Sequence, residues 1–239
     1  MISNIRHHWT QDVPESEIAF CVQLYNSGEQ LRWFAPLLRE HYPNARVSAV
    51  CDGDGCNYAD VAEQYDFALI HGEHLMELST CHLYVVRMLQ ALICGPETYL
   101  FKIDPDVRIW RRFRSLPAFT SMFGTLEYVS EAQCCEIRPP PNVQGGMIGM
   151  TNDAARCLVD SGIISHTNCT VRFSETWARC SDMIETALGG SFCDDFVLSW
   201  AASELSIPII NAPEIRSHWR KTPPDCDLRF AATHPHKLT

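Results

Sequence analysis

Short, unbroken apolar runs alternate with helix-period stretches through the first half of the chain, and this alternation most limits the fold. Ile18-Ala19-Phe20-Cys21-Val22 is apolar throughout, as a strand covered on both faces must be. Glu29 to His41 then sets Leu31, Phe34, Leu37 and Leu38 on one helical side, with Pro43 just beyond. Arg46 to Val50 reads as a second strand that turns at Cys51-Asp52-Gly53-Asp54-Gly55. Phe67 to Ile70 reads as a third. Leu78, Cys81, Val85, Leu89 and Leu92 recur at helical spacing until Gly95-Pro96, and Thr98-Tyr99-Leu100-Phe101 opens a fourth strand. Strands separated by helices pair in parallel and carry the helices on their faces. The expected fold is therefore α/β, with a mainly parallel central sheet flanked by helices.

The second half is less regular. Met122 to Val129 and Met147 to Met150 read as strands, joined by an extended stretch containing Pro139-Pro140-Pro141. Helices are expected at Asp153 to Val159 and Asp195 to Leu205, and a short strand at Pro208 to Asn211. No Gly/Ser linker or charge block divides the 239 residues, so one domain is expected.

Chemistry concentrates where the fourth strand stops, at Lys102-Ile103-Asp104-Pro105-Asp106. Proline lacks a backbone N–H and fixes φ, so the strand cannot run through it. A bend between the two aspartates can turn both carboxylates onto one ion, and hard oxygens suit Mg²⁺ or Mn²⁺. Asp-Pro-Asp is also plain turn chemistry. Ligands of open α/β sheets bind at the carboxyl ends of the strands, which puts Asn26, Asp52, Asp54, Asp104 and Asp106 on one rim. His71 and His74, in His-Gly-Glu-His, lack metalloprotease spacing and read as surface histidines.

Composition removes several classes. A net charge of −10 argues against a nucleic-acid surface. The cluster Arg108, Arg111, Arg112 and Arg114 reads as a solvated face. The twelve cysteines offer no CxxC spacing, and Cys21, Cys81 and Cys94 fall in apolar runs. They read as free thiols of a reducing compartment, not a zinc site. The first twenty residues lack a signal core, and no run has the ~18 apolar residues of a membrane span. A cytoplasmic protein with no transmembrane segment is expected.

Order and context together resemble the GT-A-fold, nucleotide-sugar-dependent glycosyltransferases, whose domain is Rossmann-related. The first strand ends in Gln23, Tyr25 and Asn26, the second runs into Asp52, and a helix carrying Arg87 leads to Asp104-Pro105-Asp106, which matches the family's DxD. Gln144-Gly145-Gly146-Met147 resembles its glycine-containing acceptor-side segment, and Cys193-Asp194-Asp195 its acidic motif at a helix start, with Asp-Asp in place of the usual Glu-Asp. Thr233-His234-Pro235-His236-Lys237 resembles its C-terminal metal-site histidine segment. The resemblance implies a nucleotide-sugar-binding half at 18–106 behind an extension at 1–17. An acceptor-side half and tail would follow at 107–239. It further implies Mn²⁺ or Mg²⁺ on Asp104 and Asp106 with His234 or His236, and donor contacts from Gln23, Tyr25, Asn26, Asp52, Arg87, Lys102, Gly145, Gly146 and Lys237. Asp195, or failing it Asp194, would be the general base. The donor would be a UDP-sugar by family default, the acceptor a carbohydrate or glycoconjugate, and the transfer inverting. A sugar-phosphate nucleotidyltransferase is one alternative. A non-catalytic carbohydrate-binding module, with Trp33, Trp110, Trp177, Trp200 and Trp219 as platforms, is the other.

Overall fold

The computed structural model describes residues 9–75, 80–127, 142–165, 194–217 and 228–234. In chain order the elements are β1 (Trp9–Gln11), β2 (Ile18–Leu24), α1 (Gly28–His41), β3 (Arg46–Cys51), α2 (Ala59–Gln64), β4 (Ala68–Ile70), α3 (Cys81–Ile93) and β5 (Tyr99–Ile103). Then come β6 (Arg108–Ile109), β7 (Ser115–Pro117), β8 (Met122–Glu127), β9 (Asn142–Thr151), α4 (Asn152–Asp160), α5 (Asp194–Glu204), β10 (Ile209–Asn211), β11 (Ile215–Ser217) and β12 (Ala232–His234). The fold is α/β, with the strands and helices expected from the apolar patterns. Pro139-Pro140-Pro141, Leu78, Cys193, His236, Lys237, Trp177 and Trp219 lie outside the described residues.

A seven-stranded mixed sheet runs in the order β10-β8-β9-β5-β2-β3-β4. β2 pairs in parallel with β3 and β5, and β3 with β4. The expected parallel run holds from β4 to β5; β9 then lies antiparallel to both β5 and β8. Strand alternation sends side chains to two cores. Ile18, Phe20, Val22 and Leu24 join Leu31, Phe34 and Leu38 of α1 on one face. Ala19 and Cys21 meet Val85, Leu89 and Leu92 of α3 on the other, where Leu158 of α4 and Trp200 of α5 also pack.

Two features of this topology place the site. The chain winds from β2 outward through β3 to β4, then returns to set β5 on the other side of β2. That reversal opens a crevice at the carboxyl ends of β2 and β5, where open α/β sheets take their ligands. A second, three-stranded sheet, β11-β12-β6, grows from the segment just after Asp106. β12 pairs antiparallel with β6 in the register Ala232↔Ile109 and Thr233↔Arg108. Among the described residues, no helix is long and apolar enough to cross a membrane.

Candidate active site

Asp104-Pro105-Asp106 is a turn and also a candidate donor set for a metal ion. The Val107 N–H donates to the Asp104 carbonyl at 3.1 Å, closing a β-turn with proline at its favoured second position. The turn carries both carboxylates to the mouth of the crevice. His234 reaches them because β12 is registered on β6. The Trp110 indole N–H holds that strand by donating to Thr233 Oγ1 at 2.9 Å. One ligand atom from each of Asp104, Asp106 and His234 lies within 4.8 Å of the others, and His234 Nε2 is 3.2 Å from Asp106 Oδ1.

Lys102 stands behind this triad. Its side chain is 1% exposed, and Nζ sits 2.8 Å from Asp104 Oδ1 and 2.9 Å from Asp194 Oδ2. It also donates to the Gly145 carbonyl at 2.5 Å. Burial alone would lower the ammonium's pKa, but the two carboxylates reverse that and hold it well above the usual lysine value. Burial raises the Asp104 carboxyl against the pull of Lys102 and His234. The ammonium expected among the donor contacts is instead enclosed, and it ties the DxD strand to the start of α5.

The glycine pair explains itself here. A Cβ on Gly145 would come within 3.0 Å of Asp195 Oδ2, and a Cβ on Gly146 within 2.2 Å of the His234 ring. The Asp104 N–H donates to the Gly146 carbonyl at 2.9 Å, so this bare backbone is pinned to the DxD strand. Gly146→Ala is expected to displace the His234 imidazole and weaken Mn²⁺ binding while leaving the far-ultraviolet circular dichroism unchanged. Calorimetric titration with Mn²⁺ checks this; an unaltered affinity removes His234 from the donor set.

Asp194 and Asp195 open α5 as expected and suit its positive end. Their environments differ. Asp194 is buried against Lys102, whereas Asp195 is half-buried and accepts the Phe196 N–H at 2.8 Å. Burial, with Asp194 beside it, pushes the Asp195 carboxyl up to about 7. That lies well above the ordinary aspartate value.

At the other end of the crevice Asp52 is fully buried. It accepts the Leu75 N–H at 2.7 Å and holds His74 Nδ1 at 2.7 Å. His74 in turn stacks on Tyr25, with ring centroids 4.9 Å apart, and Tyr25 is 47% exposed. Asp52 therefore fixes His74, and Tyr25 is the exposed side of the ring stack. Asn26 is exposed at φ 50°, and its N–H donates to Asp54 Oδ2. Gln23 is half-buried. Arg87 packs over Gly72 and donates to the Glu73 carbonyl at 3.2 Å. Sequence reasoning missed His74; the signal was that Asp52 and the His-Gly-Glu-His segment end neighbouring strands.

Two of the four clustered arginines are ion-paired, while Arg108 and Arg114 are exposed. Arg111 meets Glu214 at 3.3 Å and Arg112 meets Glu15 at 3.0 Å. Cys21 and Cys81 are buried as expected, but Cys94 is exposed, its thiol 3.2 Å from an Arg46 guanidinium nitrogen. No protein-family model matches this sequence, and no curated protein matches it.

Proposed function

We propose that the chain is a glycosyltransferase that moves a sugar from a nucleoside diphosphate sugar, by family default a UDP-sugar, to the hydroxyl of a carbohydrate or glycoconjugate. The observation that carries this reading is the Asp104–Asp106–His234 donor set at the crevice where the strand order reverses. Opposed ligands on an ion with ~2.1 Å bonds stand ~4.2 Å apart, so donor atoms within 4.8 Å of one another close onto Mn²⁺ or Mg²⁺ with small side-chain rotations. When bound, such an ion supplies Lewis-acid stabilisation of the negative charge that grows on the leaving diphosphate.

The chain's own groups do the rest. Lys102 orients Asp104. The exposed Tyr25 face, backed by His74, offers a stacking surface for the nucleobase. Asp195 Oδ2 receives the acceptor's proton as the acceptor oxygen bonds to the anomeric carbon and the sugar–phosphate C–O bond breaks. Attack from the side opposite the diphosphate inverts the anomeric centre. A base with a pKa near the working pH is the efficient choice.

A pH dependence follows. With Asp195 raised to about 7, its ionised fraction, and with it turnover, is expected to rise with pH through about 7 and then level off. Stability runs the other way: the folded state holds this proton more tightly than the unfolded chain. That contribution is fully present below about 4 and is lost as pH rises through about 7. Asp195→Asn is expected to abolish acceptor-dependent turnover and leave donor binding intact. A pH–rate profile with no limb near 7, or a product with retained configuration by NMR, removes the base role.

The direct test of the reading is a thermal-shift screen of UDP-, GDP-, TDP- and CMP-sugars with and without Mn²⁺. Ligand at ~100 Kd adds about 2.7 kcal/mol, a clear rise in Tm. No shift with any donor overturns the proposal.

A further inference from the structure

Two of the tryptophans that sequence offers as sugar platforms share one cavity. Trp33 of α1 and Trp110, just after β6, line a space of about 520 Å³ together with Leu37, Glu40, His41, Arg108 and Ile109. Trp200, by contrast, is a core residue at 1% exposure. Ile109 forms a buried floor and Trp33 is 37% exposed. Trp110 is fixed by its indole hydrogen bond to Thr233. The volume falls in the range of small-ligand sites, which pair apolar and aromatic walls with a few polar groups.

The polar groups decide the ligand class. Glu40 and Arg108 are both exposed, and neither side chain has a hydrogen bond or ion pair among the described residues; the third polar lining residue, His41, is half-buried. Arg111 and Arg112 nearby are spent on Glu214 and Glu15. One acceptor and one donor group of opposite charge, together with the His41 imidazole, therefore line the groove beside the two indoles. A cation, which the indole faces alone would favour, meets Arg108. An anion meets Glu40. A neutral molecule with apolar ring faces and hydroxyl edges meets no like charge and finds both a donor and an acceptor.

We propose that this groove between α1 and β6 is a second binding site, for a neutral oligosaccharide. It goes beyond the transferase reading and does not need it. Its position gives it a relation to the first site all the same. Arg108 follows Asp106 by two residues, and Trp110 is bonded to the neighbour of His234. A saccharide held here lies beside the donor set, where a longer acceptor or product would extend.

The test uses the full chain and its intrinsic tryptophan emission, titrated with maltotriose, cellotriose and N,N′,N″-triacetylchitotriose, with choline chloride as the cationic comparison. At least one trisaccharide is expected to alter the emission saturably and to bind more tightly than choline. Trp33→Ala is expected to weaken it about tenfold or more, the scale of removing an aromatic anchor, and Glu40→Ala to weaken it less. Asp106→Ala is expected to leave it unchanged, which separates this groove from the donor set. The proposal is overturned if no trisaccharide binds, if binding survives Trp33→Ala at full strength, if Asp106→Ala abolishes it, or if choline is preferred. Nucleotide-sugar binding in the thermal-shift screen stands or falls separately.

Discussion

Lys102→Met is expected to lower the unfolding free energy by about 3–5 kcal/mol, the cost of removing one partner from a buried ion pair. The ammonium is 1% exposed and lies within 2.9 Å of carboxylates on both Asp104 and Asp194. Its loss leaves the buried Asp194 and the half-buried Asp104 without this counter-charge. A loss of that size is a large part of the 5–15 kcal/mol that separates folded from unfolded domains. Urea denaturation measures it, and a companion variant tests the cause. Lys102→Met combined with Asp104→Asn and Asp194→Asn removes all three charges, and it is expected to be more stable than Lys102→Met alone. If the single variant unfolds at the wild-type urea midpoint, the buried triad does not hold the strand to α5.

Asp106→Ala is expected to reduce kcat on the order of 10²–10³-fold, about 3–4 kcal/mol of transition-state stabilisation, with the urea midpoint close to wild type. The choice of Asp106 matters. Asp104 carries two loads, as a donor of the triad and as a partner of Lys102, so Asp104→Ala loses stability and activity together. Asp106 faces His234 at 3.2 Å and takes no part in the Lys102 pairs. Full turnover by Asp106→Ala, or by wild type in excess chelator, overturns the metal assignment.

The sequence made the first half of the fold readable because local pattern and final structure agree there. Continuous apolar runs became β2, β3 and β5, and the helical stripes became α1 and α3, with Leu31, Phe34 and Leu38 buried as patterned. Asp104 and Asp106 were readable for the same reason: a proline after an apolar strand has one local consequence. The less readable parts depend on pairing between distant segments. His234 joins Asp106 only through the β12–β6 register, so its place came from resemblance and not from its neighbours. His74 looked like a surface histidine because nothing beside it names Asp52 as its partner. Lys102 misled for a related reason. A lysine at a strand end beside two aspartates suggests a free cation, and the carboxylate that encloses it, Asp194, lies far along the chain on α5. Trp33 and Trp110 were visible as residues, but their shared cavity requires α1 to pack beside β6.

The bare backbone at Gly145 and Gly146 also constrains how this sequence can diversify. With a Cβ position on one against Asp195 and on the other against His234, the partition between the acid and the imidazole is only main chain thick. Substitution can thicken it but cannot thin it, so the gap is no dial that successive mutations can turn. Under the proposed function, a change of acceptor preference has to be found in walls that still carry side chains, such as the exposed face of α1. In descendants of this sequence the chemical centre is thereby expected to stay fixed while its surroundings drift. Saturation mutagenesis is expected to show intolerance at Gly146 and, more weakly, at Gly145, beside broad tolerance at exposed α1 positions such as Glu29 and Arg32.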